Sequence, residues 1–297
     1  MPFARNPTIL NILIKLKNQN RSDYTIQTTS KALTTLSRYA DLNKPEQVKA
    51  FIANKQSGNG YKRNLSLAYN KFCDYYKIEW EMPTYKQETK LRRIPTTENV
   101  NMLIAKARKP LSVKLTLSKE TGLRPIELCN LKVKDVDLDH KTIYPTTAKN
   151  GSARALKISN SLQTMITNHI NTKKLNPNDK LFTCTPQNYG KNYRQMRNYL
   201  AEKLVNPTLK TISLYDFRHY FATKLYAKTR DILYVRQQMG HKKIETTLKY
   251  VQLLNLEEDD EWTCKIATTT KEIAELVEHG FIYVTELNGD KIFKKRK

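Results

Sequence analysis

Three short stretches of this chain gather residue types that can grip a phosphate and attack it. The first, Thr121-Gly122-Leu123-Arg124-Pro125-Ile126-Glu127-Leu128, sets an arginine at the start of a predicted helix, with a carboxylate three residues on. A guanidinium at a helix N-terminus is a sensible phosphate clamp, because its planar N–H fork and the oriented backbone N–H groups act together. The second, Leu214-Tyr215-Asp216-Phe217-Arg218-His219-Tyr220-Phe221-Ala222-Thr223, brings another arginine. The third, Met239-Gly240-His241, is followed nine residues later by Tyr250, whose phenol is a nucleophile once its proton is removed. Each residue also has a bland account. Arg124 and Glu127 form an ordinary helix ion pair, His241 caps a helix after glycine, Tyr215 packs, and Tyr250 is one tyrosine among 17. Order and spacing are what set them apart.

The charge of the chain narrows the kind of phosphate. Its 297 residues hold 52 Lys and Arg against 28 Asp and Glu, a formal charge of +24. A polyanionic partner explains such an excess, since each neutralised phosphate releases condensed counterions. A generally lysine-rich proteome is the competing explanation. Residues 1–94 carry 17 basic and 7 acidic side chains, residues 95–255 carry 28 and 11, and residues 256–297 carry 7 and 10. The excess therefore stops at the tail, which a uniform bias would not have spared. Cys73, Cys129, Cys184 and Cys264 are scattered without a CxxC pair or a histidine at ligand spacing, so the expectation is a reducing compartment and no zinc. No run approaches roughly 18 apolar residues and no signal-peptide core opens the chain, which predicts a soluble protein that stays inside the cell.

The elements that must carry these residues follow from hydrophobic period. Helices are predicted over Thr8–Lys17, Tyr24–Ala40, from Pro45, and over Tyr61–Ile78, forming a compact bundle. Glu81–Pro95, with two prolines and four basic residues, reads as a linker. Helices return from Thr96 and break at Lys134–Ile158, where alternation and the turn Lys149-Asn150-Gly151-Ser152 predict a β-hairpin. Further helices fall at about 160–173, 187–204, 214–228, 230–239 and 244–254. After the acidic run Glu257–Glu261 come a strand at Trp262–Ala267, a helix at Lys271–His279, and a hairpin turning at Asn288-Gly289.

On these residues the chain resembles the tyrosine recombinase (integrase) family, in particular its archaeal and Xer-related members. The TGLR turn at Arg124 resembles that family's first-arginine box, Arg218 its second arginine, Met239-Gly240-His241 its LGH box, and Tyr250 its nucleophile. The resemblance implies that Arg124 and Arg218 bind the scissile phosphate and that Glu127 supports Arg124. It further implies that His241 stabilises the phosphate and that Lys149, on the hairpin turn, protonates the departing 5′ oxygen. His219 is expected to pack in its helix as a structural residue. The departure is Tyr215, where most members carry histidine; a phenol of pKa about 10 is a poor general base, so removal of the nucleophile's proton is the step left without an agent.

The reaction so implied forms a 3′-phosphotyrosyl ester that conserves the bond energy for religation. It would need neither ATP nor metal, since arginines, a lysine and a histidine can neutralise the developing charge. The fold expected is mainly α with a small antiparallel β-sheet. It comprises a helical core-binding domain (1–82), a basic linker (83–95), a catalytic domain (96–256) and a C-terminal α/β tail (257–297) suited to subunit contact, together clamping duplex DNA. Expected partners are double-stranded DNA attachment sites and three further copies in a homo-tetramer, with no cofactor, no metal and no membrane, in the cytoplasm. A type IB topoisomerase, a transposase and a catalytically silent DNA-binding protein of the same fold remain as alternatives.

Overall fold

The N-terminal helices form because each carries an apolar stripe at three-to-four-residue spacing and nowhere else to bury it. In this computed structural model, which describes residues 7–86, 93–148, 151–254, 262–287 and 289–296, the chain divides into two compact units, residues 1–90 and 91–297. In the first, α1 (Pro7–Asn18) buries Ile9, Ile12, Leu13 and Leu16, and α2 (Asp23–Tyr39) buries Leu33 and Leu36. They share a core with Val48 and Ile52 of α3 (Pro45–Asn54) and with Leu65, Tyr69 and Phe72 of α4 (Asn59–Tyr76). Local chemistry sets the starts: the Ser22 hydroxyl accepts from the Thr25 N–H at 3.3 Å, and Pro45 occupies the first turn of α3. The Tyr69 hydroxyl donates to the Leu42 carbonyl at 2.8 Å, so the largest buried ring leaves no orphaned oxygen.

The second unit is again mainly helical. Helices α5 (Thr97–Ala105), α6 (Leu111–Thr121) and α7 (Pro125–Asn130) lead into strands β1 (Val136–Asp137), β2 (Thr142–Ile143) and β3 (Leu156–Lys157). Next come α8 (Asn160–Lys173), α9 (Pro186–Lys203), α10 (Leu214–Thr229), α11 (Ile232–Met239) and α12 (Glu245–Leu254). Phe217 and Tyr220 of α10 enter one core with Leu115 and Leu117 of α6, while Ala222 joins a smaller core with Val235, Met239 and Tyr250. Cys129 and Cys184, remote in sequence, meet with their Sγ atoms 3.3 Å apart.

The expected hairpin over 134–158 is present as the antiparallel pair β2–β3, and β1 adds a third strand to make a meander, β1-β2-β3, of two-residue strands. Between β2 and β3, three described residues bond outside the sheet. The Ala148 N–H donates to the Glu127 carboxylate at 3.3 Å, the Ser152 N–H to the Gly240 carbonyl at 3.4 Å, and Arg154 to Glu127 at 2.7 Å. Lys149 and Asn150 lie outside the described residues. In the tail, β4 (Trp262–Ala267), β6 (Asp290–Arg296) and β5 (Ile282–Leu287) form an antiparallel sheet in that order. Helix α13 (Thr270–Glu278) supplies Leu276 to a small core with Ala267 and Phe293. The acidic run 257–261 and Asn288 lie outside the described residues, while Gly289 adopts φ +88° beside the register pair Leu287–Asp290.

Helix α6 ends at Gly122 with φ +59°, and a Cβ there would meet Phe221 Cδ1 at 2.5 Å. Gly122→Ala combines left-handed strain with overpacking, so urea denaturation is expected to show a loss of roughly 2–5 kcal/mol.

Candidate active site

Arg218 lies deep in the second unit because α10 buries Asp216, Phe217 and Arg218 in succession. Its Nη1 donates to the Gly122 carbonyl and its Nη2 to the Met239 carbonyl, the last turns of α6 and α11. Helix C-termini carry partial negative charge, so two of them facing one guanidinium offset part of the cost of burying it. Burial and the nearby Arg124 charge lower the Arg218 pKa to about 10, which leaves it cationic at neutral pH.

Both helix ends close on a left-handed glycine, Gly122 and Gly240 (φ +61°), and each glycine delivers a site residue within two positions. Beyond Gly122 the chain reaches Arg124, which caps α7 ahead of Pro125. Beyond Gly240 it reaches His241. A Cβ on Gly240 would meet Arg154 Nη1 at 2.7 Å, so the absence of a side chain there admits a third arginine.

Glu127 binds this cluster together. Its carboxylate accepts from Arg124 Nη1 at 2.7 Å, Arg154 Nη2 at 2.7 Å, the Arg124 backbone N–H at 3.0 Å and the Ala148 N–H at 3.3 Å. Burial alone would raise its pKa; hydrogen bonds and charge from Arg154 and Arg124 outweigh that and hold the carboxyl at about 2. Two guanidiniums thus share one carboxylate, while Arg218 faces carbonyls and a histidine. Arg154 Nε and Nη1 are buried with no hydrogen-bond partner among the described residues. The pocket is short of negative charge, which is the electrostatic requirement for holding a phosphate.

His241 Nε2 lies 3.2 Å from Arg218 Nη2, and its Nδ1 lies 3.0 Å from Thr247 Oγ1. Burial first, then the Arg218 and Arg124 charges, lowers its pKa to about 3. The ring is therefore neutral, with Nε2 accepting from Arg218 and Nδ1–H donating to Thr247. Thr247 and Tyr250, three residues apart on α12, face the same way. The Tyr250 ring lies parallel to His241, 3° between planes and 6.5 Å between centroids, and is 1% exposed. Lys249 Nζ stands 5.2 Å from the Tyr250 centroid, and His219 Nδ1 is 3.1 Å from the Tyr250 hydroxyl oxygen.

Arg124 thus pairs with Glu127; Arg218, His241 and Tyr250 form a chain of contacts; and Arg218 reaches the carbonyl of Gly122, two residues before Arg124. Tyr215 is 45% exposed at the start of α10, and none of its described contacts reaches them. Lys149 lies outside the described residues, although Ala148 and Ser152 on either side of it are tied to Glu127 and Gly240. Sequence reading missed two participants. Arg154 was legible from alternation, since Arg154, Leu156 and Ile158 point inward in turn. His219 was expected only to pack, yet it touches the Tyr250 hydroxyl; its spacing of four from Tyr215 on α10 was the available signal.

Removing the shared counter-ion leaves buried cations uncompensated, so Glu127→Gln should lower unfolding free energy by about 3–5 kcal/mol in chemical denaturation. The two perturbed groups also predict a pH dependence. His241 titrates near 3 folded and 6.5 ordinarily, so the unfolded chain binds the extra proton and stability falls as pH drops below 6.5. Glu127, at about 2 against 4.5, adds its own loss only below 4.5. Thermal melts from about pH 7 to 5 should therefore show a falling midpoint, and His241→Gln should flatten that slope.

Residues 87–257 match the phage integrase family. The tyrosine recombinase XerA of Pyrococcus horikoshii is 26% identical over 256 residues, covering 80% of this chain and 81% of its own. XerA of Saccharolobus solfataricus is 27% identical over 215 residues, covering 72% and 70%. Among solved structures, a lambda integrase dimer bound to a COC′ core site has a TM-score of 0.62 at 13% identity, over 88% of this chain and 98% of that one. The XerH site-specific recombinase bound to palindromic difH substrate has 0.60 at 19%, over 86% and 89%. Identities this low speak for the fold alone. The family match spans more than half the sequence and contains Arg124, Glu127, Arg154, Arg218, His241 and Tyr250, and on that match the chain belongs to the phage integrase family.

Proposed function

We propose that this protein is a site-specific tyrosine recombinase that cleaves and rejoins duplex DNA through a covalent 3′-phosphotyrosyl intermediate. The observation that carries the reading is the pocket in which Arg124 and Arg154 share one carboxylate, with Arg218 and the buried phenol of Tyr250 on either side of His241. In this reading Arg124 and Arg218 hold the scissile phosphate, and Tyr250 attacks phosphorus. Lys149 protonates the departing 5′ oxygen. The phosphate adds the negative charge the pocket lacks, which relieves the pressure keeping His241 neutral and lets it donate to a phosphate oxygen. The guanidiniums supply the charge neutralisation, so the reaction proceeds without metal or ATP.

The partner is double-stranded DNA, and recombination is the work of a homo-tetramer in the cytoplasm. Residues 1–82 form the core-binding domain, residues 83–95 the linker, residues 96–256 the catalytic domain, and the tail from 257 a contact between copies. The N-terminal unit supports this with a groove of about 1270 Å³ whose lining includes Thr25, Thr28, Lys31, Arg38, Tyr61 and Lys71, a mix of hydroxyls and cations fit for a sugar-phosphate backbone. Tyr215, exposed at the head of α10, donates to a phosphate oxygen in this reading.

The decisive experiment incubates wild-type protein and Tyr250→Phe with a nicked duplex attachment site in the presence of a chelator and without ATP, then resolves the products on a denaturing gel. A 3′-linked adduct formed by the wild type alone is expected. Tight binding with no adduct on a genuine site would instead favour the silent DNA-binding alternative. Arg124→Ala should slow adduct formation by about 10²–10³-fold. Lys31→Ala with Lys71→Ala should weaken binding on all sequences and reduce the slope of log affinity against log salt by about 0.9 for each phosphate no longer neutralised.

A further inference from the structure

A phenol attacks phosphorus near neutral pH only when something takes its proton. Tyr215, at the position where a base would be sought, is half exposed, and none of its described contacts reaches Tyr250. His241 has both ring nitrogens engaged, Nε2 by Arg218 and Nδ1 by Thr247. His219 Nδ1, by contrast, lies 3.1 Å from the Tyr250 hydroxyl oxygen, with ring centroids 5.7 Å apart. We propose that His219 is the general base that accepts the Tyr250 proton, an inference that rests on the recombinase reading above. Tyr215 and His219 are four apart on α10, so they share a face and are offset by one turn, about 6 Å. The proton acceptor has moved one turn along the helix, and the helix that buries Arg218 also aims the base.

The step balances without a further reactant. The Tyr250 oxygen bonds to phosphorus as the bond from phosphorus to O5′ breaks. The phenol proton passes to His219 Nδ1, forming an imidazolium, and O5′ takes a proton from Lys149. Religation runs the same transfers in reverse. Lys249 Nζ, 5.2 Å from the Tyr250 ring, and the Arg218 guanidinium, whose charge is felt at Tyr250, both favour the phenolate as it forms.

The test is single-turnover cleavage of a nicked duplex and of the same duplex with sulfur replacing the bridging 5′ oxygen. A sulfur leaving group needs no proton, so it restores a variant that lacks the acid and not one that lacks the base. His219→Gln keeps a hydrogen-bonding side chain and is expected to cleave both substrates about 10²–10⁴-fold more slowly while binding DNA as wild type does. Lys149→Ala should recover on the sulfur substrate, and His219→Gly should recover in part with added imidazole, which also excludes misfolding as the cause of its loss. Tyr215→Phe should lose at least tenfold less than His219→Gln. If wild-type protein forms the adduct and His219→Gln forms it equally fast, or if imidazole leaves His219→Gly unchanged, this inference alone falls. Wild-type protein that forms no adduct overturns the recombinase reading and this one with it.

Discussion

The second unit is organised around one buried cation. Arg218 faces the terminal carbonyls of α6 and α11, and those two helix ends are the places from which Arg124 and His241 are launched. A guanidinium is suited to this position: it stays charged when buried, and its fixed fork reaches two carbonyls at once. Those carbonyls face inward only because each helix stops on a left-handed residue, which is why Gly122 and Gly240 occupy the turns. The interaction that folds the unit is therefore also the one that sets the spacing of the site.

A second constraint is charge. Glu127 is the carboxylate shared by Arg124 and Arg154, and it also fixes Ala148, the residue before Lys149. One carboxylate thus couples α7 to the segment between β2 and β3. Burial, and then the excess of positive charge, keeps His241 neutral, and two nitrogens of Arg154 are without partners among the described residues. Such a pocket costs stability in the free chain, because buried cations outnumber the carboxylates that could offset them.

Much of this was legible in the linear sequence. The helices of both units follow from 3.6-residue periodicity, and Pro45 and the TGLR turn mark a start or an end. The mainly helical class with small antiparallel sheets follows from the same patterns. The segment over 134–158 was less legible, because alternation implies strands that pair with each other, as β1, β2 and β3 do, whereas Ala148 and Arg154 bond to Glu127 and Ser152 to Gly240. The four cysteines look scattered in sequence, yet Cys129 and Cys184 meet in the core, because residues far apart along a chain become neighbours only through packing.

By itself the sequence determined the residue types of the candidate site, their order, and an excess of positive charge that suits a polyanionic partner, since charge, period and motif spacing are local properties of a chain. Which side chains touch was decided by the tertiary structure. Alternation with Leu156 and Ile158 marks Arg154 as inward-facing, but its partner Glu127 is set only by the packing of α7 against the segment before β3. His219 reads as helix packing until α12 sets Tyr250 against it, and the exposure of Tyr215 at the head of α10 is likewise a product of packing. The physical reason is that hydrogen bonds and pKa shifts depend on separations of a few ångströms between groups tens of residues apart, and only the packing of α6, α10, α11 and α12 fixes those separations.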